Sequence, residues 1–331
     1  MAYTDIDDPS AYFQTTLWTG DGANSHVITN SGNSDLQGDL IWIKQRDATR
    51  NHHWFDSIRG VTKYIESDTT VAEETGSTTL LAFGSDGFTV GSGGRVNANT
   101  KTYVAWNWKA GTSFTNDASS TSVGSIDSAG SVNTDAGFAI LAYEGTGSAA
   151  TIAHGLGVVP KMIITKNRDA GQNWVTYHHS IGSTHALFLD NTDAKTDAAS
   201  YFNDTNPTSS VYTVNTSGDN NKSGDSHIAY VFAEKQGYSK FGSYTGNGNA
   251  NGPFIYTGFK TAMVIIKRID DADNWVIYDN KRDGFNGDTH ALFPNNSDAQ
   301  TTDVDIDLLS NGFKIVRASG RVNASGGSFI Y

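Results

Sequence analysis

The chain has 331 residues, carries 23 Lys+Arg against 35 Asp+Glu for a formal net charge of −12, and contains no cysteine. That charge argues against a nucleic-acid phosphate track or an anionic membrane surface, both of which call for a basic stripe. The missing thiols exclude disulfide frameworks, thiolate zinc sites and cysteine nucleophiles, and leave the redox compartment undetermined.

In chain order, residues 1–13 come first, combining Asp5, Asp7 and Asp8 with a proline and two tyrosines ahead of any repeat. They are expected to form an attachment arm. There is no signal-peptide layout in MAYTDIDDP, and no apolar run approaches the roughly 18 residues of a membrane span. A repeated unit follows. WTGDG at Trp18–Gly22 returns as YEGTG at Tyr143–Gly147 and YTGNG at Tyr244–Gly248. The runs IWIKQRD (Ile41–Asp47), MIITKNRD (Met162–Asp169) and MVIIKRIDD (Met263–Asp271) come next in each copy. After each run stands a tryptophan: Trp54, Trp174 and Trp275. Second and third copies keep an offset of 101 residues at Tyr143/Tyr244, Trp174/Trp275 and Tyr212/Phe313. A unit of roughly 100 residues is the size of a small domain, so each copy is expected to bury its own core.

Within a copy the apolar runs are short, β-branched and bounded by turn residues, and no window holds a helical period over three turns. Seven or eight such strands per copy predict an all-β chain of three tandem antiparallel β-sandwich domains, jelly-roll or lectin-like. The expected boundaries are 14–110, 137–236 and 237–331. Residues 111–136, rich in Ser, Thr and Gly, read as a linker or an edge strand and leave the first joint free to vary. The second joint, KQGYSK at Lys235–Lys240, is short enough to fix an angle.

Chemistry is sparse. There is no G-x-S-x-G elbow, H-E-x-x-H or phosphate loop, and the thrice-repeated G-x-G reads as a turn needing positive φ. The pairs His52-His53 and His178-His179, with His185 and His290, read as packing or surface residues rather than ligands. Asp190, Asp193, Asp197 and Asp219–Asp225 suit calcium chemistry in residue type, yet match no calcium loop and read as turn acids. Asp303, Asp305 and Asp307 alternate with Val304 and Ile306 as the wet face of a strand. Glu144 is the lone acid set after a strand, and reads as a turn residue. Trp54, Trp174 and Trp275 read as one core anchor repeated three times. Trp18, Trp42, Trp106 and Trp108 have Tyr143, Ile164, Tyr230 and Phe232 as counterparts. No catalytic residue, metal ligand or cofactor is assigned, and no binding residue is identified.

The strings YTDIDDPSAYFQTTLWTGDG, SDLQGDLIWIKQRD, HGLGVVPKMIITK and KFGSYTGNG resemble a repeat-domain family of marine tailed-phage virion proteins. The resemblance spans nearly the whole chain, to a family with no settled activity, and implies a structural or adhesive protein on the virion surface; with no catalytic motif in the sequence, the chain is expected not to be an enzyme. A tail fibre or receptor-binding component contacting a host surface glycan or protein is the first expectation. A capsid-decorating or head-fibre protein is the alternative, and a glycan-depolymerising tailspike the lesser one. Partners are then other virion proteins held through the arm and copies of the chain itself in a trimer, with neither nucleic acid nor membrane insertion. In the third copy the closing strand reaches only FIY at Phe329–Tyr331, where YVAWNW and IAYVFAE run on. This predicts a longer natural chain or a strand supplied by a neighbouring subunit.

Overall fold

The computed structural model describes Thr4, residues 6–282 and residues 289–331. Tyr3 and Asp5 of the expected arm lie outside them.

In the first repeat the strands are β1 (Phe13–Thr19), β2 (His26–Thr29), β3 (Leu40–Gln45), β4 (His53–Asp56) and β5 (Lys63–Glu66). They continue with β6 (Glu74–Thr75), β7 (Leu80–Gly84), β8 (Gly87–Val90) and β9 (Thr102–Trp108). The second repeat holds β10 (Thr112–Asn116), β11 (Ser128–Asn133), β12 (Phe138–Glu144), β13 (Ala150–Ala153) and β14 (Met162–Asn167). It goes on through β15 (Val175–His178), β16 (His185–Phe188), β17 (Thr196–Asp197), β18 (Val211–Val214) and β19 (Ser226–Phe232). The third holds β20 (Ser243–Thr245), β21 (Phe254–Tyr256), β22 (Met263–Arg268), β23 (Val276–Asp279), β24 (Ile306–Leu309), β25 (Gly312–Ile315) and β26 (Ser328–Ile330). The fold is all-β, with antiparallel ladders between the paired strands.

Each repeat contributes a larger and a smaller sheet. The larger ones run β1-β9-β3-β4-β5-β6, β10-β11-β12-β19-β14-β15-β16-β17 and β20-β26-β22-β23; the smaller ones are β2-β8-β7, β13-β18 and β21-β25-β24. Between the two sheets of each repeat lies a separate apolar cluster, around Ile41 and Phe88 in the first, Ile163 and Tyr212 in the second, and Val264 and Phe313 in the third.

The other face of the larger sheets is buried too in the first two repeats and partly so in the third, where Met263 and Ile265 keep some exposure. All six residues of β3 and all six of β14 are inaccessible, the pattern of a strand covered on both sides. What covers them is the other two repeats. Leu40, Trp42, Trp54, Trp106, Ile164, Trp174, Tyr230, Trp275, Ile277 and Ile330 join in one central core drawn from all three. Each copy does bury its own core, as expected, and shares a further one that was not expected: the middle sheets have two apolar faces, and the second closes against their siblings.

Residues 111–136 form no free linker. β10 pairs with β11 and β11 with β12, so the segment is a hairpin extending the second large sheet, and the first joint is held by that ladder. The Val71–Thr75 stretch ends in the short strand β6.

Candidate functional site

Strand pairing fixes which residues of the three repeats correspond. Leu40, Met162 and Met263 face Asp56, His178 and Asp279 across the ladder. Trp174 and Trp275 thus correspond to His52, and Trp54 stands two residues further on, beside Thr176 and Ile277. This corrects the expected equivalence of the three tryptophans. Their burial is as expected, with 1%, 0% and 1% exposure for Trp54, Trp174 and Trp275. One contact confirms the register: the backbone N–H groups of His52, Trp174 and Trp275 donate to Asp68, Asp190 and Asn295.

From these positions each repeat reaches its neighbour. Trp174 Nε1 donates to the Glu66 carbonyl at 3.0 Å, and Trp275 Nε1 to the Phe188 carbonyl at 2.7 Å. The third place belongs to His52, whose Nδ1 accepts from Trp42 Nε1 at 2.8 Å and which meets the Phe293 backbone. Burial holds His52 well below the usual imidazole range.

Three buried lysines make a second ring. Lys44 Nζ donates to the Ser297 carbonyl, Lys166 to Thr70 and Lys267 to Thr192, each at 3.2 Å and each across a repeat boundary. Desolvation lowers all three to about 8, against the pull of nearby carboxylates. Burial conversely raises Asp68 to about 7 and Asp190 to about 6. Backbone bonds repeat in the same cyclic sense: Glu73 N–H to Arg168, Lys195 to Ile269, Gln300 to Arg46. The three copies close on one another like the subunits of a cyclic trimer.

A third ring is polar and uneven. Asp56 binds Arg59 at 2.5 Å and accepts from Tyr230 of the second repeat at 2.7 Å. Asp279 binds Arg282 at 2.6 Å and accepts from Trp106 of the first repeat at 3.1 Å. In the second repeat the acid is replaced by His178, whose Nε2 lies 3.1 Å from the Tyr331 carbonyl. The exchange follows the partner: an acid suits an O–H or N–H donor, and an imidazole N–H suits a carbonyl. Burial pushes His178 down to about 3, so the ring is neutral.

The remaining sequence candidates are structural. In the G-x-G turns, Asn97, Asn221 and Asn323 are buried and accept from the central N–H of Asp21, Thr146 and Asn247. A Cβ on the first glycine of each turn would lie 2.2–2.3 Å from a carbonyl oxygen, while the second glycine carries φ near +70°. Glu144 is exposed at the end of β12. His185 meets Thr184 and His290 meets Gln300. Asp219 accepts from the Asn173 N–H, Asp225 binds Asn167 and Lys222, and Asp193 and Asp197 are exposed. Among the described residues no three His, Asp or Glu side chains are grouped to hold a metal. Asp305 is no wet-face residue: it is fully buried, held by Tyr278 and by Arg321 at 2.7 Å.

An apolar concave feature opens where the central core meets the third repeat. It is a cavity of about 250 Å³ bordered by Trp54, Trp108, Phe232, Met263, Ile265 and Tyr331. Thr4 packs on Gly237, Tyr12 stacks edge-on with Tyr238, and Pro9 reaches the cavity wall, so the described part of the arm lies against its own chain.

A family model described as "Domain of unknown function (DUF7483)" matches residues 8–331. The chain belongs to this family. No curated protein matches the chain. No solved structure matches it. The matched stretch takes in all three repeats and every residue of the rings above. The three lysines and the Asp-x-x-Arg pairs went unnoticed in the sequence, although Asp56/Arg59 and Asp279/Arg282 share a spacing that aligns the repeats more securely than the tryptophans do.

Proposed function

We propose that the chain is a non-catalytic structural and adhesive component of a tailed-phage particle, made of three tandem β-sandwich repeats and displayed on the virion surface. The observation that carries this reading is the closed threefold packing around the central core. Polar groups of the kinds that serve catalysis are instead consumed in joining repeats: lysines on carbonyls, Asp–Arg pairs on aromatic donors, histidines held neutral by burial. Such a body is rigid, and its clamped G-x-G turns offer three related sets of loops to a host glycan or protein. Attachment to other virion proteins and self-association belong to the same proposal. Gold-labelled antibody against the chain, imaged on intact particles by cryo-electron microscopy, is expected to decorate the tail. Unlabelled particles in a preparation that contains the protein would sink the reading.

A further inference from the structure

The outer edge of the smaller sheet is closed in the second repeat and open in the third. Ile152↔Tyr212 and Ile255↔Phe313 occupy the same place, so β13 and β21 correspond. In the second repeat His154 donates its N–H to the Ser210 carbonyl, which sets the ladder bonds at Ile152 and His154 and turns the backbone of Thr151 and Ala153 outward. The 111–136 segment takes up those groups. Ser125 and Ile126 donate their N–H groups to the Thr151 carbonyl at 2.8 and 3.1 Å, and the Thr151 N–H donates to Ser125 Oγ at 2.8 Å. The Ser128 hydroxyl donates to the Ala153 carbonyl at 2.9 Å. The third repeat is entered through the short joint Lys235–Lys240 and has no counterpart of that segment. There Ile315 donates to the Pro253 carbonyl and Thr257 to the Asn311 carbonyl, each at 3.0 Å, so Phe254 and Tyr256 are turned outward. Nothing among the described residues bonds to their N–H or C=O groups. Their side chains stand exposed, at 47% and 65%, on the face opposite buried Ile255.

We propose that β21 pairs with β21 of a second copy of this chain, antiparallel and about a twofold axis through Ile255. In that register the strand is its own complement. Ile255 meets its own copy on the axis, while Phe254 and the partner's Tyr256 exchange both N–H···O bonds, as do Tyr256 and the partner's Phe254. Each phenylalanine then faces a tyrosine on the same side of the sheet, an aromatic cross-strand pair that favours the ladder. The two smaller sheets become one continuous sheet. This edge has none of the devices that keep strands apart: it carries no charge and no bulge, and the missing N–H of Pro253 lies on the β25 side. The second repeat shows room for an added strand, since Ile126 runs beside Ile152 along the same flank. In the first repeat β2 offers only Val27 and Thr29 at these places, without an aromatic pair. A three-residue ladder covers far less than the roughly 1,200 Å² of a stable interface, so the pairing is weak and fills at high protein concentration. It concerns one strand edge and stands or falls separately from a virion role.

The test is sedimentation equilibrium of the 331-residue protein from about 1 μM to about 1 mM, with amide hydrogen exchange at both ends of the range. The mass should rise from the 35.5 kDa of one chain towards twice that, and exchange at Phe254 and Tyr256 should slow with it. Two double variants then read the register, both at exposed positions and both checked for folding by their urea midpoints. Phe254→Lys with Tyr256→Lys sets lysine against lysine across the axis and should abolish association. Phe254→Lys with Tyr256→Glu sets lysine against glutamate and should keep the dimer within about tenfold of the original affinity. Val27→Lys, on the corresponding edge of the first repeat, should change nothing. A monomer at every concentration, an association that ends at three chains, or dimers that survive the double lysine variant overturn the proposal. So does equal loss in the two double variants, or loss with Val27→Lys.

Discussion

The outer cores and the central core are built from different residues. Between the sheets of each repeat the filling is mainly aliphatic with tyrosine and phenylalanine, and Trp18 is the lone tryptophan there. The central core holds Trp42, Trp54, Trp106, Trp174 and Trp275, ringed by lysines that cross repeat boundaries and by Asp–Arg pairs that accept from a neighbouring repeat's aromatic donors. An outer core needs one repeat, whereas the central core exists only when three repeats meet. Large rings with one polar edge suit such a junction, since they fill volume and bond to a neighbour's carbonyl at once.

Trp174→Ala is the most severe way to break this contrast. It empties a fully buried site and deletes the bond to Glu66, at a cost of about 3–5 kcal/mol. Phe313→Ala in an outer core removes a buried ring at a similar cost in the same range. The two should differ in reach. Hydrogen exchange is expected to accelerate in all three large sheets for Trp174→Ala and chiefly in the third repeat for Phe313→Ala; identical patterns would erase the distinction.

Asp56→Ala tests the polar ring. It takes the nearer counter-ion from buried Arg59, which keeps Glu73 at 3.6 Å and the Trp54 carbonyl, and strips Tyr230 of its acceptor, at about 3 kcal/mol. Urea midpoints measure this. A loss under about 1 kcal/mol, the worth of an exposed ion pair, would mean water reaches the ring.

Much of this architecture was legible beforehand, and the failures have physical causes. Strand length, turn chemistry and the 101-residue offset are local signals, and the all-β fold follows from them. The central core depends on which face of a strand meets a distant repeat. The hint was present: IWIK, MIITK and MVIIK lack the alternation of a strand with one wet face. Trp54 misled because indole is a strong anchor wherever a core is large, so identity outweighed register. Asp305 misled because alternation with Val304 and Ile306 looks the same whether the acid meets water or Arg321.

Acid should unfold the protein through its histidines. Burial holds His52, His53, His154, His178, His179 and His227 below the ordinary 6.5, with His178 at about 3 and His227 at about 4. Below pH 6.5 the unfolded chain takes up protons that the folded chain refuses, so stability falls as pH falls. Asp68 and Asp190 act in the opposite sense between their folded values, about 7 and 6, and 3.8, but they are two against six. The urea midpoint should therefore decline from pH 6.5 to 4, and a flat profile would mean that the histidines are wet.

The smallest effect lies on the alkaline side and belongs to the lysine ring. Lys44, Lys166 and Lys267 release their protons near pH 8 when folded and near 10.5 when unfolded. Between those values the unfolded chain holds more protons, so stability should rise with pH as the cost of buried charge is relieved. The tyrosines set the upper limit. Tyr177 is pushed up to about 12 by burial, and Tyr143, Tyr212, Tyr230 and Tyr278 are raised further, so above pH 10 the unfolded phenols ionise first and stability turns down. A maximum is thus expected between pH 8 and 10. Lys267→Met keeps the apolar stem and removes the charge, with little net change at pH 7 because a buried cation gives up most of its Coulomb gain to desolvation. The variant should flatten part of the rise above pH 8 while leaving the acid limb untouched. A rise of unchanged slope would show that the ammonium group of Lys267 is solvated, and that the ring closes the three repeats by packing rather than by charge.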